Sequence, residues 1–165
     1  MGNTKLSLGS GSKKRDEFIN VDLRKHENVD VLSDFSEDFP FKNESINLIQ
    51  AFYLLEHLED PFHFLNESYR VLKKGGQLLI KVPHADSPTY KEHPDHVSMF
   101  TYDTIPYLTG QEESNEQYFD YNFRLKEFNF YFNRAYFPRI TAMIIRILNK
   151  FPCLAQYLSQ YLNID

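Results

Sequence analysis

The stretch KLSLGSGSKKRDEFINVD, residues 5–22, decides the fold. Lys5-Leu6-Ser7-Leu8 alternates polar and apolar residues and stops at Gly9-Ser10-Gly11-Ser12, the pattern of a strand ending in a glycine loop. Phe18-Ile19-Asn20-Val21 is a second strand, and it stops at Asp22. Too few residues lie between Gly11 and Phe18 for a helix, so the first crossover is a loop or a single turn.

Outward from that stretch the pattern repeats. Val29-Asp30-Val31-Leu32 is a third strand ending at Ser33-Asp34, and Ile46 to Ala51 is a fourth, after the turn cluster Lys42-Asn43-Glu44-Ser45. A helix follows, with Asp60 as N-cap and Pro61 at its first position. Phe62, Leu65, Tyr69 and Leu72 recur at helical spacing. Lys73 and Lys74 suit the negative end of the helix dipole, and Gly75 suits the position just past it. Gln77 to Val82 is a fifth strand, apolar enough for the centre of a sheet. Strands separated by crossovers imply a parallel sheet. The expected fold is α/β, a Rossmann-like, mostly parallel sheet with sparse helices on one face.

The 165 residues suit one domain, with core motifs over 1–108 and C-terminal strands and a helical tail over 109–165. Residues 118–132 alternate aromatic and polar side chains, which predicts one or two strands. The tail from Ile140 to Leu162 carries Arg139, Arg146 and Lys150 around an apolar stripe, expected to pack on the sheet or a second subunit. A net charge of −5 argues against nucleic acid, whose binders carry a basic face. One cysteine, Cys153, excludes an internal disulfide and a cysteine-type metal cluster. No apolar run is long enough to span a bilayer, and the N-terminus runs straight into a strand rather than a leader, so a cytoplasmic location is expected.

Ligands of open parallel sheets sit outside the carboxyl ends of the strands. Gly9, Ser10 and Gly11 follow the first strand, where glycine lets a ligand approach the backbone. Asp22, with Leu23 beside it, ends the second, where an acid accepts from ribose hydroxyls. Asp34 and the Phe35 amide are placed for an adenine ring, and Ala51 and Phe52 for the amino-acid end of a nucleoside. A dinucleotide loop needs a third glycine and a helix facing the pyrophosphate; position 14 is Lys and there is no room for the helix. S-adenosyl-L-methionine (SAM) has no phosphate and tolerates the shortened loop. Its carboxylate needs a donor, for which Lys13, Lys14 and Arg15 are candidates.

The ordered series LSLGSG, FINVD, VDVLSDF, FPFKNESINLI, LLEHLEDP and ESYRVLKKGGQLLIKVPH resembles the class I SAM-dependent methyltransferases of the type-11 group. Val82-Pro83-His84, Pro94-Asp95-His96 and Phe100-Thr101 are similar to a compact bacterial-type subgroup of unassigned substrate. The resemblance covers residues 4–108 well. It implies methyl transfer from SAM to a small molecule or, since relatives often accompany glycan assembly, a sugar. Against the family pattern, the sequence begins at the first strand and its first crossover lacks a helix. Both open the cofactor site, so a homodimer or a partner subunit that covers it is expected. A non-catalytic, SAM-binding scaffold is the alternative.

Methyl transfer gains from holding donor and acceptor in line and, for hydroxyls, from a base. The loop after the fifth strand offers His84, Asp86, Tyr90, His93, Asp95 and His96. His96 and His84 are the expected groups that orient or deprotonate the acceptor, because imidazole titrates near neutrality. The spacing of these histidines and acids matches no metal motif, so no metal is expected. Glu56 and His57, at a helix start, either line the site or hold that helix.

Overall fold

A computed structural model describes residues 2–110, 121–129, 146 and 149–151. Among the described residues, five parallel strands form one sheet: β1 (Lys5–Leu8), β2 (Ile19–Asp22), β3 (Val31–Leu32), β4 (Ile46–Phe52) and β5 (Leu72–Lys81). Their spatial order is β3-β2-β1-β4-β5. Helix α1 (Pro61–Val71) enters β5 directly, and α2 (Pro88–Lys91) and α3 (Ile105–Thr109) are short.

The register explains how the few helices among the described residues suffice. Leu6 pairs with Ile19 and Ile49, and Leu8 with Val21 and Ala51, so one sheet face is apolar. It shares a core with Phe35, Phe39, Phe64 and Leu65. Phe35, Phe39 and Phe64 meet edge to face at centroid distances of 5.4–6.1 Å. On the other face Ser7 pairs with Asn20 and Gln50. All three are buried, yet polar. The short first crossover satisfies Asn20 and Gln50. Asn20 exchanges hydrogen bonds with the Arg15 backbone, and its amide donates to Asp30 at 2.8 Å. The Gln50 side-chain oxygen accepts from the Arg15 guanidinium at 2.9–3.2 Å, in the amide orientation that satisfies both groups. Parallel sheets normally need apolar cover on both faces. Here one face is polar and a hydrogen-bonded loop takes the place of a helix.

Helix α1 starts as expected: the Asp60 carboxylate accepts from the Phe62 and His63 amides at 3.0 Å. Glu67 and Arg70 tie it to the preceding loop. Glu67 Oε2 accepts the Phe39 amide at 2.7 Å, and Arg70 donates to the Phe39 and Phe41 carbonyls at 3.0 Å.

Three expectations need correction. The buried stripe of α1 is Phe64, Leu65, Ser68 and Val71, while Phe62 and Tyr69 are exposed. The helix ends at Val71, and Gly75 (φ +79°) lies in an irregular stretch of β5 rather than past a helix end. Among the described residues β5 is an edge strand, with Leu79 exposed, not a central one. The early helix end has a clear reason. A strand pairing with β4 captures Leu72 against Ile46 and overrides the local helix signals. Residues 121–129 contain no strand; the rest of 118–132, Cys153 and most of the tail lie outside the described residues. No described helix is long and apolar enough to cross a membrane.

Candidate functional site

The carboxyl ends of β1, β2 and β4 converge on one rim. At the end of β1 the chain turns through Gly9 (φ +66°) and Gly11 (φ +56°). The positive φ favours glycine there, and a Cβ on Gly9 would also press on Leu54 Cδ1 at 3.1 Å. Asp22 braces this loop: its Oδ2 accepts the Gly11 amide at 2.8 Å and its Oδ1 the Arg24 amide at 2.9 Å. Each carboxylate oxygen retains a further lone pair for an outside donor. Leu23 and Leu32 stand exposed beside it.

Asp34 closes its own turn, accepting from the Ser36 amide at 2.9 Å and hydroxyl at 2.7 Å. These donors hold its carboxyl below the ordinary 3.8. Phe35 is buried in the aromatic core. Ala51 is likewise fully buried.

A cleft of about 390 Å³ opens beside this rim, lined by Gly9, Ser10, Lys13, Arg15, Gln50 and Phe52 among others. Ser10 is buried, and its hydroxyl has no hydrogen-bond partner. The Arg15 guanidinium lies 5.5 Å from the Phe52 ring centroid. Lys14 instead faces Asp16 at 3.6 Å on the surface.

A second group forms where the loop after β5 meets the turn Leu55–His57. The Val97 and Ser98 amides both donate to the Glu56 carbonyl, at 2.8 and 3.1 Å. His57 and His96 lie edge to face with centroids 4.8 Å apart, and His93 stacks on His96 at 5.0 Å. Burial pushes the Glu56 carboxyl up to about 7. Burial, with His57 and His93 nearby, lowers the His96 imidazole below its usual 6.5, although the Tyr90 carbonyl pulls the other way.

A sequence profile described as "Methyltransferase domain" matches residues 11–80. The uncharacterized protein MJ1123 of Methanocaldococcus jannaschii is 31% identical over 91 residues, 50% of this chain and 44% of its own length. Demethylmenaquinone methyltransferase of Chlorobaculum tepidum is 31% identical over 67 residues, 41% of this chain and 28% of its own. A solved SAM dependent methyltransferase from Archaeoglobus fulgidus shares the fold, with a TM-score of 0.55 at 16% identity over 90% of this chain and 78% of that one. Residues 11–80 thus match the methyltransferase domain family, and the sheet has the fold of a SAM dependent methyltransferase. The chain spans less than half the length of the curated relatives just described.

The structure brings Gly9, Ser10, Gly11 and Asp22 into one hydrogen-bonded loop system. Leu23 and Asp34 follow β2 and β3, and Phe52 closes β4. Of the two expected acceptor-side histidines, His96 joins the group around Glu56. His84 sits at the exit of β5, its Nδ1 accepting the Asp86 amide at 3.2 Å. Glu56 is the residue that sequence alone undervalued. Its neighbour in sequence, His57, signalled a polar pair, but only the fold shows Glu56 to be 1% exposed.

Proposed function

We propose that this domain holds SAM across the ends of β1 to β4 and methylates a small-molecule or sugar acceptor. The observation that carries the reading is the Asp22 carboxylate, which braces the Gly9–Gly11 loop and keeps lone pairs for ribose hydroxyls. The cradle suits such a ligand. Ser10 offers an unpartnered buried hydroxyl, and Arg15 is a cation without a carboxylate partner among the described residues. Arg15 and Lys13 line the cleft and would take the methionine carboxylate. When bound, SAM supplies a methyl group already activated on a sulfonium.

On the acceptor side, His96 keeps its proton on Nδ1, which faces the Tyr90 carbonyl at 3.0 Å. Its Nε2 lone pair is then free to take a proton from an acceptor hydroxyl or ammonium. His84 is the second orienting group. The exposed rim of Leu23, Leu32 and Tyr53 favours a partner subunit or second copy over the cofactor. It is also the observation behind the alternative, a SAM-binding scaffold without turnover.

Calorimetric titration with S-adenosylhomocysteine, with NAD as control, tests the reading. Saturable binding of the former alone is expected; equal binding of both, or of neither, refutes it. His96→Ala should leave that affinity intact and slow transfer in an acceptor screen. Unchanged turnover would remove His96 from the reaction, and no turnover with any acceptor would favour the scaffold.

A further inference from the structure

We propose that Glu56, His57 and His96 form a binding site for a divalent transition-metal ion of the zinc or cobalt(II) kind. One potential ligand atom from each of the three lies within 4.8 Å of the other two. The spacing of residues 84–96 alone did not indicate this, because two of the three ligands come from another segment, the turn Leu55–His57.

Three features fit a cation. First, Glu56 is 1% exposed and its Oε2 is buried with no hydrogen-bond partner. A buried carboxylate oxygen is costly without a donor or a cation. Second, each imidazole has its Nδ1 against an acceptor. Nδ1 of His96 faces the Tyr90 carbonyl at 3.0 Å. Nδ1 of His57 faces the Asp95 carbonyl at 3.3 Å and Asp95 Oδ2 at 3.2 Å. Metal-binding histidines commonly give their second ring N–H to such acceptors, which fixes the tautomer and leaves the other lone pair for the ion. That lone pair is Nε2 in both rings. Third, the two segments are joined independently of any ion. Val97 and Ser98 amides bind the Glu56 carbonyl, and the Ser98 hydroxyl donates to the Leu58 carbonyl at 2.7 Å.

Two imidazoles and one carboxylate suit zinc, iron, cobalt or nickel better than calcium or magnesium, which prefer all-oxygen shells. The His57 side chain is 35% exposed, so one side of the site is open to water or another ligand. His93 and Asp95 flank it, and with His96 they form a second, more exposed trio. The site stands independently of methyl transfer. Where both hold, an acceptor hydroxyl on the ion would lose its proton more readily. His96 would then hold the ion instead of taking the proton, since one lone pair serves either role.

The test uses the full chain, stripped with chelator and dialysed. Zinc is titrated by calorimetry and cobalt(II) by visible absorption. A single ion per chain at micromolar affinity or tighter is expected, with ligand-field bands for cobalt. Glu56→Gln and His96→Ala should each weaken zinc by about 100-fold, and His57→Gln, at an exposed position, keeps the test available if Glu56→Gln does not fold. His26→Gln, on the β2–β3 loop, should change nothing. Substoichiometric zinc, or ligand variants that bind as the wild type does, would overturn the proposal and leave Glu56 as a buried, protonated carboxyl. S-adenosylhomocysteine titrated into the same samples keeps a failed metal site distinct from a failed cofactor site.

Discussion

Replacing Asp22 should cost the domain most of its cofactor affinity. The carboxylate stands at the end of β2 with one oxygen on the Gly11 amide and the other on the Arg24 amide. Two ribose hydroxyls would use the remaining lone pairs. Hydrogen bonds to a charged acceptor are worth about 1.5–3 kcal/mol each, and the lower value applies because Asp22 is half-exposed. Two such bonds make about 3 kcal/mol, or roughly 100-fold in Kd. Asp22→Ala also frees the Gly11 amide, which loosens the loop and adds to the loss. Asp22→Asn keeps one acceptor oxygen but turns an NH2 toward a backbone amide, so its loss should lie between. The assay is calorimetric titration with S-adenosylhomocysteine, alongside thermal melts that show each variant is folded. A folded Asp22→Ala with a Kd within about threefold of wild type would refute the assignment of this end of β2 to the ribose.

Arg15→Gln should weaken S-adenosylhomocysteine by about tenfold, the value of one charge-assisted bond, and leave adenosine affinity unchanged; equal loss for both ligands would place Arg15 away from the carboxylate. Phe64→Ala removes the ring shared by Phe35 and Phe39 and should destabilise the fold by about 3–5 kcal/mol in urea. A loss under about 1 kcal/mol would mean the aromatic trio is not a core. Arg70 hydrogen bonds hold the Glu67 carboxyl below its ordinary 4.5, so the folded state binds that proton less tightly than the unfolded chain. The stabilisation is therefore full above the unfolded pKa and fades as pH falls through the folded one. Urea midpoints of wild type and Glu67→Gln should converge between neutral pH and about pH 3; a constant gap would show that the pair's value is not ionic.

Much was legible from local pattern. Alternation in Lys5–Leu8, the glycine turn after it and Asp22 at the next strand end placed the rim of the site before any coordinates. Asp60-Pro61 placed the start of α1. These signals are local: a turn needs positive φ, a cap needs a short acceptor side chain, and each is written in a few adjacent residues. The shortened first crossover likewise announced a sheet with helices mainly on one face.

Position within the sheet was not written locally. The apolar run Leu78-Leu79-Ile80 reads as a central strand, yet among the described residues β5 is at the edge. Gly75 reads as a helix end, yet pairing with β4 draws Leu72 into the strand. The polar sheet face was equally hidden. Ser7, Asn20 and Gln50 are unremarkable singly, and only the register aligns them under Arg15. The same holds for the adjacent Glu56 and His57 and for His96, about forty residues further on. By itself the sequence determined the strand ends, the glycine turn and the helix cap, because turns and caps depend on neighbours along the chain. The tertiary structure alone decided which strand is the edge, which face is polar and which acids and imidazoles meet, because burial and contact across the sheet depend on residues that the chain order keeps apart.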